Sequence, residues 1–275
     1  MENYDRLSIV VSLVLLGLVM MLLINLPTRI IQAELFGTPV AIPLSSHLIM
    51  AALLSTLTAV GVETIMRSHP RFGEQRVSAY SFPFWILPAL VTLAATWLTP
   101  LLLQYSLLYW LGGLVATAIA LSLVIMAEYH TITPADRHYT QARLFLNMVA
   151  YLGGLVLFSL VYSARLRSAL SASSIALLAA TLALSLLRAD REETARTWTY
   201  AAICGLILGE ATWALNYWGI GGLTGGTLLV LIFYFFTGLA QQQLLNRFGR
   251  PVLIEFGLVG TVGLFLLATQ GALSW

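Results

Sequence analysis

The sequence predicts an all-α integral membrane protein: a bundle of about nine transmembrane helices, with a short outer β-hairpin between the first and second. Three observations predict it. Of 275 residues, 59% are hydrophobic and only 9% charged, against roughly 25% charged in an ordinary soluble domain, so water cannot be the main solvent of this surface. The charge-free runs come in the length of one bilayer crossing, about 20 residues, or twice that. The arginines fall on alternate connections, as short retained loops require.

In chain order the apolar runs place spans at 7–26, 44–66, 83–103, 107–127, 142–163, 168–187, 197–217, 223–245 and 252–269 of a single domain, 1–275. The first follows Glu2 and Asp5 and is too long for the apolar core of a secretory signal, so it reads as a retained span. Between it and the second span, two β-prone runs flank Phe36-Gly37, which suggests a hairpin, with Pro39 weakening its second strand. No charge occurs between Arg76 and Glu128, a stretch too long for one crossing, so the chain must fold back near Gln104–Ser106. The stretch from Arg196 to Arg247 holds only Glu210 and turns at Gly219-Ile220-Gly221-Gly222.

With the N-terminus in the cytoplasm, the inner segments carry Arg6, Arg67, Arg71, Arg76, Arg137, Arg143, Arg188, Arg191, Arg196, Arg247 and Arg250, and the outer ones only Arg29, Arg165 and Arg167. That bias orients the chain with its N-terminus inside and its C-terminus outside. Aromatic residues such as Trp97, Trp110, Trp218 and Trp275 at outer ends, and Trp85 and Trp198 at inner ones, match interfacial belts. The sixth span is rich in small residues, with Ala172, Ala176 and Ala180 on one stripe, the chemistry of close helix packing in lipid.

Several function classes are excluded. All 14 basic residues are arginine, so no lysine can carry a retinal-type or pyridoxal-type Schiff base. A net charge of +2, dispersed along the chain, makes no nucleic-acid footprint. Cys204 stands alone, without a disulfide or cysteine metal site. No G-x-S-x-G, H-E-x-x-H or phosphate loop is present, so no catalytic residue is named and the chain reads as non-enzymatic. An intramembrane lipid-modifying enzyme is the least favoured reading, for want of a visible nucleophile and base.

Glu210 is the most informative residue, because a carboxylate deep in a span costs about 2.5–3.5 kcal/mol on insertion scales unless it is neutralised or paired. It is therefore expected to face the bundle. Trp213 and Tyr217 share its stripe at i+3 and i+7. The eighth span offers Tyr234, Thr237, Gly238 and Gln241, and the fifth offers Arg143, Asn147, Tyr151 and Gly154. If these three helices meet, Glu210, Trp213, Tyr217, Tyr234, Asn147 and Tyr151 line a ligand-binding strip; the bland reading is a buried protonated acid hydrogen-bonded to its neighbours.

Glu63, Glu128 and Glu255 fall near inner helix ends beside arginines and read as interfacial ion pairs. Arg165 and Arg167 read as anchors of a helix end. The loop after the fourth span holds the metal-capable Glu128, Tyr129, His130, Asp136 and His138, but their spacing matches no established ligand pattern and a solvated turn explains it, so no metal site is assigned. All four histidines lie at span ends or in loops, which leaves no intramembrane haem pair. No cofactor is identified.

Through Glu128-Tyr129-His130, Arg143-Leu144-Phe145-Leu146-Asn147, the run from Glu210 to Trp218, and Phe233-Tyr234, the chain resembles an uncharacterised, domain-of-unknown-function family of bacterial multi-spanning membrane proteins. The resemblance covers most of the chain and implies no activity. The leading expectation is a membrane protein that binds or carries a hydrophobic or amphipathic small molecule in its helix bundle. Its alternative is a structural subunit of a larger, bioenergetic or pigment-binding, membrane complex. The lipid bilayer is a partner in either case.

Overall fold

The computed structural model describes residues 2–24, 27–35, 38–69, 81–133, 135–188, 194–245, 257 and 261. Among them the chain forms eight α-helices and one two-stranded ribbon: α1 (Glu2–Met20), β1 (Arg29–Leu35), β2 (Thr38–Leu44), α2 (Ser46–Arg67), α3 (Phe82–Leu103), α4 (Leu107–His130), α5 (Tyr139–Ser163), α6 (Ser168–Leu186), α7 (Thr194–Leu215) and α8 (Gly222–Leu244). Six of them, α2 through α6 and α8, are long and apolar enough to cross a membrane. The protein is a multi-pass helical membrane protein. The ninth expected span, 252–269, and Glu255 lie outside the described residues, apart from Gly257 and Thr261.

Local chemistry sets the helix ends. α1 begins earlier and stops earlier than its apolar run, giving way at Met20 to a turn through Leu23. Ser45 and Ser106 cap α2 and α4, their hydroxyls accepting from the N–H groups of Leu48 and Tyr109 at 3.3 Å each. Pro83 occupies the first turn of α3, where a missing N–H costs nothing. Two further prolines, Pro88 and Pro100, lie inside α3 and each deletes a helical hydrogen bond.

The ribbon pairs antiparallel from Arg29 opposite Leu44 to Leu35 opposite Thr38. Pro39 and Pro43 both belong to β2. Proline fits a paired strand where its nitrogen turns away from the partner, and residues four apart share that direction.

Two compact units divide the chain between Leu146 and Asn147, inside α5. In the first, α1 to α4 pack around two apolar clusters. Val10, Val62, Ile65, Met66, Ile125 and Ile132 form one. Val11, Val14, Leu18, Leu54, Ala95 and Leu121 form the other. A hydroxyl pair, Thr58 and Thr92 at 2.8 Å, ties α2 to α3: one hydroxyl donates to the other, which in turn donates to a carbonyl of its own helix, so both buried oxygens are satisfied.

In the second unit, the alanine stripe of α6 receives the glycines of α7. A Cβ on Gly205 would lie 2.6 Å from the Ala176 carbonyl oxygen and 2.8 Å from Ala180 Cβ, and one on Gly209 would lie 3.0 Å from Ala176 Cβ. With lipid as solvent, such backbone-close contact supplies the dispersion energy that apolar bulk cannot. The ends of this unit are pinned by polar bonds. Asn216 Nδ2 donates to Ser171 Oγ at 2.8 Å, the Tyr162 hydroxyl to the Leu215 carbonyl at 2.7 Å, and Arg165 Nη2 to the Ile220 carbonyl at 2.5 Å.

Candidate functional site

The six residues expected to form one strip separate into two groups. Glu210, Trp213 and Tyr217 do not face the bundle: all three are exposed, Tyr217 at 77%. The cause is the packing of α7 on α6. With Gly205 and Gly209 committed to α6, residue 210 points about 140° round the helix from the first and about 100° from the second. The interior of α7 is instead written by Ala201, Cys204, Leu208, Thr212 and Leu215, each buried. Glu210 stands five residues before the end of α7, about 8 Å along the axis.

Tyr151 and Tyr234 do come together, on α5 and α8. Their rings lie 5.5 Å apart, edge to face, and the Tyr151 hydroxyl is 3.2 Å from Thr237 Oγ1. Thr237 in turn donates to the Phe233 carbonyl at 2.6 Å. Phe233 sits in the same seam, 5.9 Å from the Tyr151 ring and 5.8 Å from Phe158.

This seam has an antiparallel register. A Cβ on Gly222 would strike Ser163, one on Gly226 would strike Ser159, and eight residues further along each helix Tyr151 faces Tyr234. The same register, extended by four residues on each helix, would bring Asn147 level with Gly238. Asn147, Tyr151 and Tyr234 are each part-buried, and Gly238 is buried. The chemistry available is hydrogen bonding and ring contact; no nucleophile and base are paired there.

The charged groups at helix ends behave as anchors. Glu63 pairs with Arg67 one turn on, at 2.6 Å, and also accepts from Ser81 at the start of α3. Glu128 is fully buried at the end of α4, where the Thr131 hydroxyl lies 3.5 Å from its Oε2. Arg165, besides its bond to Ile220, lies over the Tyr162 ring at 5.3 Å.

The α4–α5 loop holds a grouping that sequence spacing did not reveal. His130 closes α4, Asp136 sits in the turn and His138 immediately precedes α5. Asp136 Oδ2 is 2.7 Å from His130 Nδ1, and Asp136 Oδ1 accepts the His138 backbone N–H at 2.9 Å. The His138 N–H first, and then the His130 imidazole, hold the Asp136 carboxyl below the usual carboxylate range. The sequence showed these as metal-capable types in one loop, and the aspartate two residues before a histidine has the spacing of an Asx turn.

A family model described as a protein of unknown function (DUF5656) matches residues 26–270. No curated protein and no solved structure matches the chain.

Proposed function

We propose that this chain, which belongs to the DUF5656 family of proteins of unknown function, binds an amphipathic small molecule in the α5–α8 seam. The observation that carries this reading is the meeting of Tyr151, Tyr234 and Thr237 one turn from the Asn147–Gly238 level. Hydroxyls and an amide there would orient a polar head, while Phe233 and Phe158 would contact an apolar body, the division of labour typical of small-molecule sites. The role is binding or carriage, without bond-making chemistry.

The experiment is retention. Protein purified in mild detergent and analysed by native mass spectrometry should carry a small molecule or lipid, whose occupancy falls at least tenfold in Asn147→Ala and Tyr234→Ala. Equal retention in both variants, or an empty parent protein, would remove the reading.

A second reading has its own observation. Glu210, Trp213 and Tyr217 lie along an exposed face of α7, and a carboxyl group on an apolar helix favours a covering partner. In that reading the chain is a subunit of a larger membrane complex. A photo-crosslinking residue at Trp213 should then capture a discrete protein, and Glu210→Gln should weaken capture while leaving the seam's ligand in place. Crosslinks to lipid alone would count against it.

The orientation we propose keeps the N-terminus and Arg67 in the cytoplasm of a bacterial inner membrane and puts the C-terminus outside, on the arginine bias. A reporter fused near Arg71 should be active only inside, and one after Trp275 only outside; the reverse pattern would overturn it.

A further inference from the structure

We propose that His130, Asp136 and His138 form a binding site for a divalent transition-metal ion at the α4–α5 turn. The ligand-capable atoms of these residues all lie within 4.8 Å of one another. His138 Nδ1 is 3.6 Å from Asp136 Oδ1, and the two imidazole rings are 5.5 Å apart. Ligands about 2.0–2.2 Å from a common zinc ion stand roughly 3.3–3.6 Å from each other in tetrahedral geometry. The set therefore needs side-chain shifts on the order of an ångström, within the reach of rotamer adjustment, and no backbone change.

The backbone that presents these residues is fixed from both sides. Thr131 N–H bonds the carbonyls of Ala127 and Glu128 as α4 ends, and Ala142 N–H bonds the His138 carbonyl as α5 begins. Between them, Asp136 N–H bonds the Thr133 carbonyl and Tyr139 N–H bonds that of Asp136. Both histidines are thus held at helix ends, and the aspartate is steered between them by its own bond to the His138 N–H.

Ligand type selects the metal. Two imidazoles and one carboxylate suit zinc, cobalt, nickel or ferrous iron, whereas calcium and magnesium prefer oxygen throughout. Three protein ligands leave a coordination position for water. His138 is 59% exposed and His130 39%, so that position opens to solvent and the ion is exchangeable. A histidine–aspartate contact serving the loop alone would explain His130 but not the second imidazole, which stands beyond hydrogen-bond distance of the same carboxylate. The site lies in the first unit and shares no residue with the α5–α8 seam.

The test uses the full chain, with any affinity tag removed and prior metal stripped by chelator, titrated with Zn²⁺ in mild detergent by calorimetry. The expected result is one ion per chain, and with Co²⁺ the visible absorption of a nitrogen- and oxygen-ligated ion. Asp136→Asn keeps an acceptor for the His138 N–H and hence the turn, but loses the charge. It and His138→Ala should each weaken Zn²⁺ at least tenfold, and Zn²⁺ should raise the melting temperature of the parent alone. Absence of saturable binding, or parental affinity in both variants, would overturn the proposal. Should either variant fail to fold, His130→Gln, which keeps bulk and a hydrogen bond, decides by the same readout.

Discussion

The α6–α7 pair and the α5–α8 pair share one unit and one kind of apolar composition, yet they are joined differently. Along α6–α7 the spacing is set by Ala172, Ala176 and Ala180 against Gly205 and Gly209, so backbone nearly touches backbone over two turns. Along α5–α8 such contact is confined to one end, where Ser159 and Ser163 meet Gly226 and Gly222; further on, Phe158, Tyr151, Phe233 and Tyr234 act as spacers. The difference teaches that a membrane bundle can place two kinds of helix spacing side by side. A glycine–alanine seam brings two backbones together, whereas a ring-spaced seam holds its helices apart by side-chain contact.

The sharpest way to break this contrast is to remove a spacer. Phe233 is fully buried between Tyr151 and Phe158, and Phe233→Ala should cost about 3–5 kcal/mol of unfolding free energy, measured by denaturation in mixed micelles. A loss under about 1 kcal/mol would mean that the seam closes freely and the rings are not props.

Filling the tight seam should cost somewhat less. Gly205→Leu must displace the Ala176 carbonyl or Ala180, neither of which can swing away, and overpacking of that kind costs about 1–3 kcal/mol. Gly153→Leu, on α5, meets nothing within 4 Å and should leave stability unchanged in the same assay. Equal effects at the two positions would dissolve the distinction between a packed face and an open one.

The smallest effect concerns the polar bond of the looser seam. Tyr151→Phe removes the partner of Thr237 while keeping the ring, and hydrogen bonds between membrane helices average about 0.6 kcal/mol. Because Thr237 still bonds the Phe233 carbonyl, the loss should stay below about 1 kcal/mol, read from the same denaturation curves. A larger loss would give the hydroxyl pair a structural weight that the rings alone do not explain.

These contrasts also mark what the sequence could and could not disclose. The fold-back at Gln104–Ser106 was legible because an uncharged run has a length limit in a bilayer, and Ser106 supplies the cap that starts α4. The small-residue stripe of α6 was legible because four-residue spacing defines a helix face. Which neighbour that face meets was not. Helical spacing groups Glu210 with Trp213 and Tyr217 correctly, but only Gly205 and Gly209 reveal that α7 gives its other side to α6. The reading joined tyrosines of α5 and α8 that do meet to an acid that turns outward. The His130–Asp136–His138 grouping was hidden for another reason: a turn brings its members together, and turns carry no periodicity from which to count.

The prolines of β2 have a bearing beyond the ribbon itself. Pro39 and Pro43 leave that strand's outward side without two of its hydrogen-bond donors, so a further strand from another molecule would find gaps where its carbonyls need partners. Chains crowded side by side in a membrane present such ribbons to one another at high local concentration. The two prolines therefore make β2 a poor template for a further strand.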